Sequence, residues 1–185
     1  MVYILLGEGF EEAEALVAAD VLRRADVPVT LTGIGGDAVT GSHHITVRAD
    51  KPVGLVKLQP GDMVVLPGGM GGVASMEGSE EAMALIRQAA SGGDYWLAAI
   101  CAAPTLLARA GLLPKGARCV CYPGMEGELS RAGAVPAMDE AAVTEGRLIT
   151  GRGPGAAFDF GLALVEALAG PGAAGKVRAA MHYGV

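Results

Sequence analysis

Short apolar runs alternate with amphipathic stretches along most of this chain, and each pattern predicts an element. Val2–Leu6 is a continuous apolar run of strand length, ended by the turn Gly7-Glu8-Gly9. From Glu11 to Arg24, Leu16, Ala19, Val21 and Leu22 recur at helical spacing, with acids near the start where the helix dipole favours them. Val27–Thr32 is β-branched and completes a βαβ unit of about 30 residues, the building block of a parallel sheet. Val39 to Val56 differs: Gly41, alternating polarity and Pro52 predict a hairpin or edge excursion. Met63–Leu66 is a buried strand closed by Pro67-Gly68-Gly69, Glu80–Ala90 a helix, and Tyr95–Ile100 another buried strand. A helix follows from Pro104 to Ala110, closed by Gly111. Strands are expected at Arg118–Val120, Ala142–Thr144 and Leu148–Thr150, the last two joined at Gly146, and helices at Ala156–Ala169 and Ala173–Met181.

This alternation predicts one α/β domain over residues 1–185, a doubly wound, mostly parallel sheet flanked by helices. No internal repeat or dividing linker interrupts it. Ligands of such sheets bind beyond the carboxyl ends of the strands. That rule singles out the strand-exit turns Gly7–Glu14, Pro67–Gly72, Cys101–Pro104 and Gly151–Gly155.

Composition narrows the classes. With 51% hydrophobic and 18% charged residues the chain can build a sizeable core and is not of the disordered type. The net charge of −6 comes with no basic block, which disfavours nucleic acid as a partner. No apolar run approaches membrane-spanning length, and the first residues lack a basic leader segment, so a cytoplasmic protein is expected. Three cysteines fit no disulfide framework. In a strand, Cys119 and Cys121 would share a face and read as buried thiols; His43, His44 and His182 offer them no metal-site spacing. The strings Gly69–Ala74 and Gly151–Ala156 satisfy G-x-G-x-x-A, but neither lies in the first βαβ unit. The turn that does continues as Phe10-Glu11-Glu12, with acids where a pyrophosphate would lie. No cofactor is expected.

Ala98-Ala99-Ile100-Cys101-Ala102-Ala103-Pro104 is the most informative stretch. Small residues around Cys101 allow a strand to turn into a helix within about two residues, as in a nucleophile elbow, and Pro104 suits a first helical turn. A sulfur at a helix N-terminus would be a thiolate of lowered pKa. The pattern equally fits a buried structural cysteine.

Gly9–Glu14, Asp20–Ala25, Val64–Gly69, Ala99–Pro104 and Thr150–Gly155, in this order and spacing, resemble the ThiJ/PfpI superfamily, in the branch of the parkinsonism-associated deglycase-like proteins. The resemblance implies a flavodoxin-like fold of the class I glutamine amidotransferase type. It implies Cys101 as nucleophile, Glu14 as the acidic residue touching the sulfur, and the backbone N–H groups of Gly69 and Ala102 as oxyanion donors. A carboxylate beside a thiolate is electrostatically awkward, so Glu14 is expected protonated. Glu11 and Glu12 read as solvated acids of a first turn. Two departures stand out: Tyr122 occupies the position of a histidine in animal members, and Ala102 follows the cysteine where the protease branch has histidine. His43 replaces an arginine that in relatives reaches a neighbouring subunit's site, which opens a weak anion-binding role. Arg152 reads as a loop anchor that could meet a substrate carboxylate. Tyr122, Arg152 and His43 are thus the substrate-pocket candidates.

The resemblance implies a cysteine-dependent, cofactor-independent glyoxalase or deglycase acting on methylglyoxal or related small aldehydes and their adducts. The alternatives are an oxidation-sensing or stress-protective, chaperone-like protein using the same thiol and, less favoured, a cysteine peptidase or amidase. Relatives pair through the first helix, and Val17, Ala18 and Val21 widen its apolar face here, so a homodimer is expected.

Overall fold

The computed structural model describes residues 1–184. Its centre is a seven-stranded sheet in the order β10-β11-β7-β6-β1-β2-β5. The strands are β1 (Val2–Leu6), β2 (Val29–Gly33), β5 (Lys51–Pro52), β6 (Met63–Leu66), β7 (Trp96–Ile100), β10 (Ala142–Glu145) and β11 (Leu148–Gly151). All neighbours are parallel except β10 and β11, whose hairpin turns at Gly146. The doubly wound sheet is as the sequence predicts. β3 (Ala38–Thr40) and β4 (Thr46–Arg48) form the expected hairpin off the β2 edge. The strand expected at Arg118–Val120 is β8 (Arg118–Cys119), which lies outside the central sheet and pairs with β9 (Val135–Pro136), a strand that was not foreseen.

Alternate side chains of each buried strand feed two cores. Val2, Ile4 and Leu6 face α1 (Glu12–Arg24), α6 (Ala157–Ala169) and α7 (Pro171–Ala180), while Tyr3 and Leu5 face α2 (Met70–Gly78), α3 (Glu80–Ala90) and α4 (Ala103–Arg109). Ser79 caps α3 by accepting the Ala82 N–H. Cys119 and Cys121 are both buried in the second core, as their shared face implied, although the strand itself ends at Cys119.

Two helices escaped the sequence reading. α2 begins inside the glycine-rich run read as a turn: its positions 71 and 72 are glycine because a Cβ at either would run into the main chain of residues 8–10. α5 (Glu126–Arg131) is six residues long, too short for a periodic signal. Packing also corrects the argument drawn from α1. Ala18 and Val21 are buried within the chain, with Gly161 of α6 seated against Val21; only Leu16 and Val17 stay partly exposed. Among the described residues no helix is long and apolar enough to cross a membrane.

The chain passes from β1 outward to β2, then returns to place β6 on the other side of β1. Beyond the carboxyl ends of β1, β6 and β7, the switch point opens the crevice where such sheets bind ligands.

Candidate active site

Cys101 follows β7 directly and takes φ +65, a left-handed conformation that costs a non-glycine residue about 1–2 kcal/mol. The bend is held from both sides: its N–H donates to Gly151 O at 2.9 Å, and its carbonyl accepts the Tyr122 N–H at 2.8 Å. The side chain is 8% exposed, and its sulfur accepts from the backbone N–H groups of Ala102 and Gly69. Gly69 can come this close because it lacks a side chain; at φ +81, a Cβ there would strike the Gly9 carbonyl oxygen and the Glu11 nitrogen.

Glu14, on the first turn of α1, is fully buried beneath the sulfur. Its Oε2 accepts the Gly68 N–H at 2.6 Å, whereas Oε1 has no hydrogen-bond partner. Burial raises this carboxyl to about 7, partly offset by the Gly68 N–H and by Cys101. The thiol is pushed up to about 12, first by burial, then by the charge of Glu14 and its hydrogen bonding; the Ala102 and Gly69 N–H groups pull less strongly downward. The lowered thiol pKa expected from the sequence is therefore not what the site produces. A helix terminus loses here to burial and to a carboxylate. The two groups titrate as a pair, and the first proton to leave comes from Glu14.

Glu12 departs furthest from its reading as a solvated acid. It is 4% exposed; Oε1 accepts the His43 N–H at 2.8 Å and the Ile45 N–H at 3.3 Å, and Oε2 pairs with His43 Nδ1 at 3.0 Å. Burial opposes its charge, but hydrogen bonds from its own N–H, the His43 ring and the two loop N–H groups outweigh this and hold it at about 2. A Cβ at Gly41 would collide with it, so glycine there lets the loop close over the carboxylate. Glu12 thus clasps the 41–45 loop to α1. Glu11, Glu12 and His43 offer ligand atoms within 4.8 Å of one another, the one set among the described residues that could hold a metal. Glu12 is already committed to loop N–H groups, which makes the set a hydrogen-bonded clasp first.

Above the sulfur lies a cavity of about 460 Å³. Gly69, Cys101, Ala102, Tyr122 and His43, all candidates from the sequence, line it, and His43 lines the pocket of its own chain where the sequence reading set it near a neighbouring subunit's site. Glu11, Met70, Met125 and Pro154 join them unforeseen; Met70 opens α2 and Met125 immediately precedes α5, the two helices that carried no signal. Arg152 is not part of the lining; its N–H donates to Ala141 O at 2.9 Å, which suits a loop anchor. The ring of Tyr122 packs against Gly153. The arrangement can add a buried sulfur to an electrophilic carbon, hold the resulting oxygen at backbone N–H groups, and move a proton at Glu14.

Comparison with known proteins was consistent across three kinds of match. The profile of the DJ-1/PfpI family matches residues 1–167. Protein dj-1beta of Drosophila melanogaster is 43% identical over 168 residues, covering 90% of this chain and 88% of that protein. A Caenorhabditis elegans protein named glutathione-independent glyoxalase is 33% identical over 168 residues, covering 91% and 88%. The crystal structure of Drosophila DJ-1beta superposes with a TM-score of 0.90 at 38% identity, covering 100% of this chain and 98% of that one.

Proposed function

The chain belongs to the DJ-1/PfpI family, and from that premise we propose that it is a cofactor-independent glyoxalase acting on methylglyoxal-type aldehydes, with deglycase action on their adducts. The observation that carries this reading is the fully buried Glu14 carboxyl, which hydrogen-bonds Cys101 and keeps one oxygen, Oε1, without a partner. Once Glu14 has ionised, above about pH 7, it can take the thiol proton as the sulfur attacks. The high thiol pKa is then no obstacle, because free thiolate need not accumulate.

Cys101 Sγ bonds to the aldehyde carbon, and the thiol proton passes through Glu14 to the carbonyl oxygen, giving a hemithioacetal. The Gly69 and Ala102 N–H groups hold that oxygen. Glu14 then removes the hydrogen of the same carbon as a proton and returns it to the neighbouring ketone carbon, while the hemithioacetal hydroxyl proton passes to the former ketone oxygen. The product is a thioester of a 2-hydroxy acid. Water cleaves the S–C bond, releasing the acid and restoring the thiol, so methylglyoxal plus water becomes lactate.

The rival reading, an oxidation sensor, wants a thiol that ionises readily, and burial with Glu14 works against that. A steady-state assay of wild type, Cys101→Ser and Glu14→Gln with methylglyoxal, following lactate, tests the proposal. Turnover that survives Cys101→Ser would overturn it. We further propose a homodimer, on the narrower basis of the partly exposed Leu16 and Val17, and a cytoplasmic location.

A further inference from the structure

We propose that the Cys101 pocket filters substrates by charge, taking uncharged 2-oxoaldehydes with an apolar substituent and rejecting those that carry a carboxylate or phosphate; the substrate class rests on the glyoxalase reading above. Among the described residues no lysine or arginine lines the cavity. Its single basic group, His43, is bound at Nδ1 to Glu12 Oε2 at 3.0 Å and stands 3.6 Å from Glu11 Oε2. A protonated His43 with Glu11 and Glu12 sums to one negative charge, and Glu14 beneath the sulfur adds another when ionised. The N-termini of α2 and α4 oppose this with partial charges of at most about half a unit each, confined to the first turn. The carboxylates therefore set the sign of the field.

The rest of the wall is soft and apolar. Met70 is 66% exposed and Tyr122 49% exposed, with Met125 and Pro154 beside them. Thioethers and an aromatic ring open to the cavity suit a hydrophobic substituent of variable shape. At about 460 Å³ the cavity falls in the range of pockets for drug-sized ligands, about 300–1,000 Å³, far more than a three-carbon aldehyde needs.

Alkylation separates the charge filter from catalysis. In the full folded chain, Cys101 is labelled with iodoacetamide, which is neutral, and with iodoacetate, which is anionic, and the rate ratio is compared with that of the same cysteine in urea. The folded ratio is expected to favour iodoacetamide at least 10-fold more, and Glu11→Gln to narrow it several-fold. An unchanged ratio, or one favouring iodoacetate, overturns the proposal. With substrates, kcat/KM is expected several-fold higher for phenylglyoxal than for methylglyoxal, and at least 10-fold lower for 4-carboxyphenylglyoxal than for phenylglyoxal. The reverse order in either pair would refute the corresponding half. If no aldehyde is turned over, the glyoxalase reading falls, while the alkylation ratio still decides the charge filter.

Discussion

Replacing Glu14 by glutamine is expected to stabilise the protein in mild base while removing its activity. The folded carboxyl sits at about 7 against 4.5 for the free group, so the folded state holds its proton more tightly. That contribution is fully present below about pH 4.5 and is lost as pH rises through about 7. At about 1.4 kcal/mol per tenfold, the wild type has given up about 3 kcal/mol by pH 8.5 and about 1 kcal/mol at pH 5. Glutamine cannot ionise; its oxygen can still accept the Gly68 N–H, and its amide would occupy the position of the unpartnered Oε1. Burying that amide without a partner costs about 1 kcal/mol. Glu14→Gln should thus gain about 2 kcal/mol over wild type at pH 8.5 and nothing at pH 5. Urea unfolding at the two pH values, with unchanged m, measures this directly. Equal differences at both pH values, or a loss at pH 8.5, would refute the reasoning. In the same variant Cys101 should alkylate faster at pH 8.5, because burial is unchanged but the neighbouring charge is gone. Aldehyde turnover should fall by about 10² or more.

In wild type, kcat/KM should rise as pH passes about 7, where Glu14 ionises; a flat profile from pH 6 to 8.5 would contradict its role as base. Iodoacetamide should label Cys101 before Cys119 and Cys121, which are fully buried, and mass mapping reads the order. Glu12→Gln should lower stability by about 1–3 kcal/mol at pH 7, as expected for hydrogen bonds to a charged group. Since Glu12 is held at about 2, its contribution is present above about pH 4.5 and fades toward pH 2, so thermal unfolding of variant and wild type should converge in acid. Gly69→Ala should cost 2 kcal/mol or more, roughly the sum of strain at a positive φ and a backbone clash. Light scattering on a sizing column should give twice 18.6 kDa; a single-chain mass at high concentration would reject the dimer.

How much of this was legible in the sequence depended on how local the signal was. β1, β6, α3 and β7 announce themselves by runs and periods that fall within one element, and their bounds agree to within a residue or so. The Cys101 bend was legible because small residues and Pro104 surround it. α2 was hidden because its glycines serve close packing against residues 8–10, a tertiary demand that erases local helix propensity. Glu12 and Glu14 are two residues apart and both buried, yet one is held strongly ionised and the other resists ionisation. The difference lies in what the 41–45 loop and Gly68 present to them, which no pattern along α1 records. The same holds for the thiol, whose motif was visible but whose protonation is set by burial and Glu14 together.

The bend at Cys101 has a consequence for the order in which the protein acquires its chemistry. The groups that hold it come from Gly151 and Tyr122, and Glu14, Gly69 and Pro154 complete the surroundings. During synthesis, a chain that has emerged only through α4 has the cysteine but lacks the strand that fixes its main chain. Its thiol at that stage is an ordinary one, free to sample right-handed conformations and exposed to solvent. The bent, buried form of the thiol arrives with the docking of β11 beside β7, close to the last step of building the sheet. Nascent and misfolded copies therefore carry the more exposed thiol, and an electrophile would label them ahead of finished molecules, whose sulfur is buried and holds its proton.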